Sequence, residues 1–152
     1  MAIRNITKMG DPVLRKRCKE VEVFDAKLHQ LLDDMLDTLH KAEGLGLAAP
    51  QVGVLKRVCI VEYDGELFEL VNPVLINSKG SCVDNEGCLS VNGFRGLVRR
   101  PQQIDIEYFD RNGNKQSLHA EGYFARVFLH EMDHLDGILF ADKMIKKIID
   151  ED

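Results

Sequence analysis

Phe128-Leu129-His130-Glu131-Met132-Asp133-His134-Leu135-Asp136-Gly137 is the stretch on which the reading of this chain turns. On an α-helix, residues i and i+4 share a face. His130 and His134 can therefore aim their imidazoles at one metal ion, and Glu131, beside the first of them, can reach a water there as a general base. Tyr123, Phe124, Val127 and Phe128 supply apolar positions ahead of the motif, and Gly137 is a natural helix stop. The competing reading is a surface helix that carries two histidines by chance. The helical flanks and the lack of an internal proline argue against it. Catalytic zinc-type sites take three protein ligands and keep one position for water, so the rest of the chain must supply a third.

The chain has 152 residues, 45% hydrophobic and 30% charged, with a net charge of −5. That length predicts one domain, residues 1–152, with a substantial core, and the composition excludes disorder. The acidic balance disfavours nucleic acid as a direct partner. No apolar run approaches the about 20 residues of a membrane span, and the opening Met1-Ala2-Ile3-Arg4-Asn5 lacks the apolar core of a signal peptide. A cytoplasmic location is expected, with Cys18, Cys59, Cys82 and Cys88 reduced.

Asp11-Pro12 opens a short helical turn, with Asp as N-cap and Pro at the first helical position. A first long helix is predicted over 25–43. Leu28, Leu31, Leu32, Met35, Leu36 and Leu39 make one apolar face, which suits a scaffold helix lying on a sheet. Its His29 and His40 read as solvated or structural. Gly44-Leu45-Gly46-Leu47-Ala48-Ala49 formally matches G-x-G-x-x-A, a dinucleotide fingerprint, but a helix precedes it and Pro50 interrupts any helix after it. The fingerprint needs the opposite order. The segment is read instead as a loop that brings backbone close to a ligand, with Gln51 conspicuous as a polar residue among small ones. Strands are predicted over 57–62 and 67–71, joined by an Asp64-Gly65 turn, then over 74–76, 96–99, 103–109 and 115–120. Cys59 reads as a small buried hydrophobe. A short final helix is expected over 143–149. The order predicts an α+β fold: antiparallel sheets packed around a central metal-binding helix, a scaffold helix before them and a short helix after.

The third ligand is sought in Glu86-Gly87-Cys88-Leu89-Ser90, expected as a loop between strands. Cys88 is the leading candidate because a thiolate suits a tetrahedral ion with two imidazoles. Asp84, Glu86, Asp133 and Asp136 compete as oxygen ligands.

Gly44 to Gln51, Glu86 to Ser90 and His130 to Gly137, in that order, resemble the three signature motifs of the bacterial peptide deformylases. Gly10-Asp11-Pro12-Val13-Leu14-Arg15 is similar to that family's opening. The resemblance spans the whole chain. It implies a metal-dependent hydrolase that removes the N-formyl group from the initiator N-formylmethionine of new polypeptides and releases formate. It implies Cys88, His130 and His134 as metal ligands and Glu131 as general base and acid. The Gln51 side chain and the Leu89 N–H become the donors to the oxyanion. Substrate contacts are implied at Gly44, Leu45, Gly46, Glu86, Gly87, Arg95, Arg126 and Val127. Leu45 and Val127 are expected to wall an apolar pocket for the methionine side chain, and Gly46 to admit the substrate backbone. Arg126 stands where many relatives carry an aliphatic residue. Its stem is expected to line the pocket and its head to reach water. The cofactor implied is one divalent ion, Fe2+ in the cell, with Zn2+, Ni2+ or Co2+ compatible with the same ligands. The partners implied are N-formylmethionyl peptides and nascent chains near the ribosome, and the protein is expected to be a monomer. Many bacterial members of the family it resembles continue beyond the position of Asp152 into a longer, more basic C-terminal helix, so the resemblance does not extend to a ribosome contact made through such a tail.

Two other classes share the helix motif. A zincin-like protease would take its third ligand after His134, where Asp136, Asp142, Asp150 and Glu151 are the acidic choices. A structural metal domain would close its ion with a fourth protein ligand.

Overall fold

Two helices and eight strands account for most of residues 2–149, which the computed structural model describes. α1 (Ala26–Ala42) is followed by β1 (Gly46–Ala48), β2 (Val58–Tyr63), β3 (Glu66–Lys79), β4 (Cys82–Cys88), β5 (Val91–Arg100), β6 (Gln103–Phe109) and β7 (Lys115–Glu121). Then come α2 (Gly122–His134) and β8 (Met144–Ile149). Five strands form one antiparallel sheet in the order β1-β2-β3-β6-β7. The other three form a second, β4-β5-β8. The α+β architecture with a central motif-bearing helix is as expected.

β2 shows how the larger sheet serves both helices. Val58 and Ile60 point into a core built on the leucines of α1. Cys59 and Val61 point the other way, onto Phe128, Leu129 and Ala125 of α2. All four are fully buried, so the strand is apolar throughout rather than alternating, as a strand covered on both faces must be. β1 divides its residues likewise, Leu47 toward α1 and Ala48 toward α2. A leucine face on α1 and an aromatic-rich face on α2 thus clamp the sheet between them. Asp25 caps α1 by accepting from the Leu28 N–H at 3.1 Å, and Glu43 ends it in the left-handed region at φ 58°.

The structure corrects four local expectations. The segment over 143–149 is an edge strand, not a helix: β8 pairs with β5 from Val98↔Met144 to Phe94↔Ile149. Six residues rich in β-branched isoleucine are too short to nucleate a stable helix, and an open strand edge satisfies their backbone instead. Glu86 to Cys88 belong to β4 rather than to a loop, and only Leu89 and Ser90 form the turn before β5. Gly46 to Ala48 likewise form strand β1 inside the expected Gly44–Ala49 loop. The segments over 67–71 and 74–76 are one strand, β3, whose pairing with β6 slips between Val71 and Val74. Pro73 sits at that irregularity, where a ladder hydrogen bond is already missing.

Candidate active site

α2 enters the space between the two sheets with its last two turns. Gly137 follows at φ 75°, and a Cβ there would lie 2.6 Å from the Arg15 carbonyl oxygen, so only glycine lets the chain turn away at this point. The helix presents His130 and His134 to the end of β4. One ligand atom from each of Cys88, His130 and His134 falls within 4.8 Å of the others, and no other such trio occurs among the described residues. Cys88 Sγ lies 3.4 Å from His134 Nε2. Ligand atoms around a tetrahedral ion with ordinary Zn–S and Zn–N bonds stand about 3.3–3.8 Å apart. A soft thiolate and two imidazoles, close together and largely buried, fit one divalent cation.

The surroundings orient those ligands. His130 Nδ1 bonds to Glu86 Oε1 at 2.9 Å, which leaves Nε2 to face the site. Glu86 is 3% exposed and is saturated: Arg100 bonds both its oxygens, and Arg126 Nη1 reaches Oε2 at 2.6 Å. Burial pushes the Glu86 carboxyl up, but the bonds from His130 and Arg100 overcome this and hold it well below the usual carboxylate range. Burial disfavours charge on His130, yet its bonds to Cys88 and Glu86 hold its pKa well above the usual value. The same negative partners would attract a cation. Burial, and then the charge on His130, keep His134 well below its usual value and so neutral, the form a metal requires.

Glu131 points the other way from Glu86 in its bonding. It is 4% exposed, and its Oε1 has no hydrogen-bond partner. Burial lifts its carboxyl to about 7, with His130 opposing the rise and Glu86 adding to it. A cation bound nearby would favour its carboxylate form. Gln51 is anchored at its oxygen by the Ala48 N–H at 2.9 Å. Its Nε2 donates to Ser90 Oγ at 3.0 Å and lies 3.6 Å from Cys88 Sγ.

A cavity of about 430 Å³ opens over these groups. Gln51, Cys88, Leu89, His130 and Glu131 line it, as do Gly44, Leu45, Gly46, Glu86, Gly87, Arg95, Arg126 and Val127. Among the site residues that the resemblance implies, only His134 does not line it. Arg126 departs from expectation in one respect. Its head is not in water: the residue is 3% exposed, and its guanidinium donates to Glu86 and to the carbonyls of Val98 and Cys82. The residue still lines the cavity, with its charge held by those partners.

The described oxygen competitors have other partners, Glu86 as given above. Asp133 pairs with Arg100 and Lys143, Asp136 with Arg57, and Asp142 with Arg15; Asp84 accepts from the Asn85 N–H. Asp150 and Glu151 lie outside the described residues. Sequence reasoning missed Arg100, Ser90, Tyr123 and Glu43. Ser90 stood inside a quoted motif but without a role. Tyr123, taken only as an apolar helix position, lines the cavity and donates its hydroxyl to the Asn85 carbonyl at 3.0 Å. No described helix is long and apolar enough to cross a membrane.

Comparison with known proteins shows what the whole chain is similar to. A family model described as polypeptide deformylase matches residues 3–148. A peptide deformylase of Caldicellulosiruptor bescii is 53% identical over 152 residues, all of this chain and 92% of the relative. The crystal structure of a peptide deformylase from Legionella pneumophila superposes with a TM-score of 0.92 at 41% identity, covering 94% of this chain and 86% of that one. That from Thermotoga maritima gives 0.93 at 36% identity, covering 95% and 99%. With a family model matched over residues 3–148 and a relative 53% identical over the full chain, the chain belongs to the polypeptide deformylase family.

Proposed function

We propose that Cys88, His130 and His134 hold one divalent cation and that Glu131, Gln51 and Leu89 use it to hydrolyse the formyl amide of N-formylmethionyl peptides. The protein is a hydrolase of this family, and the observation that carries the assignment of roles is the trio of ligand atoms with the unpartnered Glu131 Oε1 beside it. The cation, when bound, supplies Lewis acidity and lowers the pKa of water toward neutrality.

The chain's own residues do the rest. Glu131 takes a proton from the attacking water as its oxygen adds to the formyl carbon. Negative charge then develops on the formyl oxygen. Gln51 Nε2 and the Leu89 N–H donate to it, and each such donor typically contributes about 3 kcal/mol to lowering the barrier. Ser90 Oγ fixes the Gln51 amide for that task. Glu131 passes its proton to the amine nitrogen as the C–N bond breaks, and formate leaves.

β1 is the edge strand of its sheet, and an extended peptide can add beside Gly44 to Gly46 as a further strand. Its first side chain then enters the cavity beside Val127, Tyr123 and Arg126, all of which line it. Fe2+ is the ion assigned for the cell, with Zn2+, Ni2+ and Co2+ as possible replacements, since all three suit a thiolate–imidazole set. Residues 1–152 act as one monomeric, cytoplasmic catalytic unit on nascent chains near the ribosome. The site draws on α2 and on strands from both sheets, which supports a single unit. Incubating the metal-loaded protein with a formyl-Met tripeptide should release one formate per peptide. Cleavage of an internal peptide bond, with the formyl group left in place, would favour the protease reading instead.

A further inference from the structure

Three successive residues near the N-terminus bond to the two elements that carry the proposed oxyanion donors. The Thr7 N–H donates to the Gln51 carbonyl at 2.7 Å, Lys8 Nζ to the Leu89 carbonyl at 2.8 Å, and the Met9 N–H to the Ser90 carbonyl at 2.7 Å. The same segment is anchored upstream on α1. The Ala2 N–H and the Arg4 guanidinium donate to Asp34, and the Arg4 N–H donates to Thr38 Oγ1. It is a strap from α1 to the rim of the cavity.

The strap meets a specific mechanical need. Gln51 follows β1 and belongs to the five-stranded sheet, whereas Leu89 is in the turn between β4 and β5 of the three-stranded sheet. Among the described residues no strand pairing joins the two sheets. The relative position of the two donors is therefore set by packing, by the contacts of Gln51 with Ser90 and Cys88, and by the strap. Two of the strap's three bonds are made by main-chain N–H groups, which almost any residue would supply. The third depends on one side chain. An ammonium bonded to a carbonyl is charge-assisted and stronger than a neutral pair, and holding a long exposed lysine in one rotamer has an entropic cost. From the other side, the Leu89 side chain is packed so closely on Gly44 that a Cβ there would meet Leu89 Cδ1 at 2.9 Å.

We propose that Lys8 is a positioning residue for the deformylation: its ammonium, bonded to the Leu89 carbonyl, holds the Cys88–Ser90 turn so that the Leu89 N–H and the Gln51 amide converge on one oxygen. This rests on the reading of Gln51 and Leu89 as oxyanion donors. Lys8 touches no reacting atom; it acts through Leu89.

The test compares Lys8→Met, which keeps the stem and removes the ammonium, with Lys8→Arg, which keeps a cationic donor. Both are full-length and metal-loaded, and are assayed for kcat, KM, bound metal and Tm with a formyl-Met tripeptide. Removing an oxyanion donor outright costs 10²–10³-fold, so loosening one should lower kcat roughly tenfold in Lys8→Met. KM, metal content and Tm should hold, and Lys8→Arg should recover most of the rate. An unchanged kcat in Lys8→Met, a loss that Arg does not recover, or a loss that follows Tm or metal content would overturn the proposal. If the wild-type chain releases no formate, the functional reading beneath it falls, and Lys8 with it.

Discussion

Gly46 faces Glu131 so closely that a Cβ on Gly46 would stand 2.7 Å from Glu131 Oε2 and 2.8 Å from its Cγ. The glycine was expected to make room for the substrate backbone. It also makes room for the Glu131 carboxyl, the proposed general base. A Glu side chain can rotate away from such a contact, so the fold should survive Gly46→Ala while the carboxyl moves. Because a displacement of about 1 Å at the reacting groups can cost 10²-fold, kcat should fall roughly 10- to 100-fold with bound metal retained. A rise in KM alone, at full kcat, would show that the glycine serves substrate entry only.

Glu86 supports the site without facing the reaction. It orients His130 and neutralises two buried arginines. Substituting Gln removes the charge and weakens the acceptor for His130 Nδ1. Metal affinity should fall about 10- to 100-fold, as is usual when a ligand's supporting carboxylate is lost. Stability should fall as well, by about 3–5 kcal/mol, because Arg126 stays buried without its counter-ion and Arg100 keeps only Asp133. Competition with a chelator and denaturant melts measure the two effects separately. Unchanged metal affinity would mean that packing alone orients His130.

Asp34 provides a pH-dependent test of the strap's anchor. Burial raises its pKa, but the bonds from Gln30, Arg4 and the Ala2 N–H outweigh burial and leave it below the usual value. A carboxyl depressed in the folded state stabilises the protein above its unfolded pKa of about 4. That contribution is lost as pH falls through the lower folded value. The Tm gap between wild type and Asp34→Asn should therefore be full at neutral pH and shrink below about pH 4. A gap that stays constant down to low pH would remove the ionised Asp34 from the stabilising network.

What could be read from sequence divides along a physical line. α1, the β2–β3 hairpin and the metal helix follow from local periodicity and turn residues, and the structure agrees with them. The pairing of Cys88 with His130 and His134 came from a ligand-type argument together with motif resemblance. Arg100 could not be found in this way. It stands beside Arg99, both ordinary candidates for the surface, and only the β4–β5 register, with Cys82 opposite Arg100, carries its head inward to Glu86. Arg126 was misjudged for the same reason, since its partners Glu86, Val98 and Cys82 lie 28 to 44 residues away. β8 was misread because Met144 to Ile149 has neither strict alternation nor a helical face. The open edge of β5 decides its conformation.

The account depends most on Glu131 as the proton carrier beside, and distinct from, the metal ligands. Glu131→Gln keeps the shape and hydrogen-bonding reach of the side chain but cannot take a proton. The measurement is metal content and the rate of formate release on the same purified Glu131→Gln protein, against wild type. One divalent ion per chain is expected in both, with the rate lowered about 10²–10⁴-fold in the variant. A variant that loses its metal, or one that keeps both metal and full rate, would contradict it.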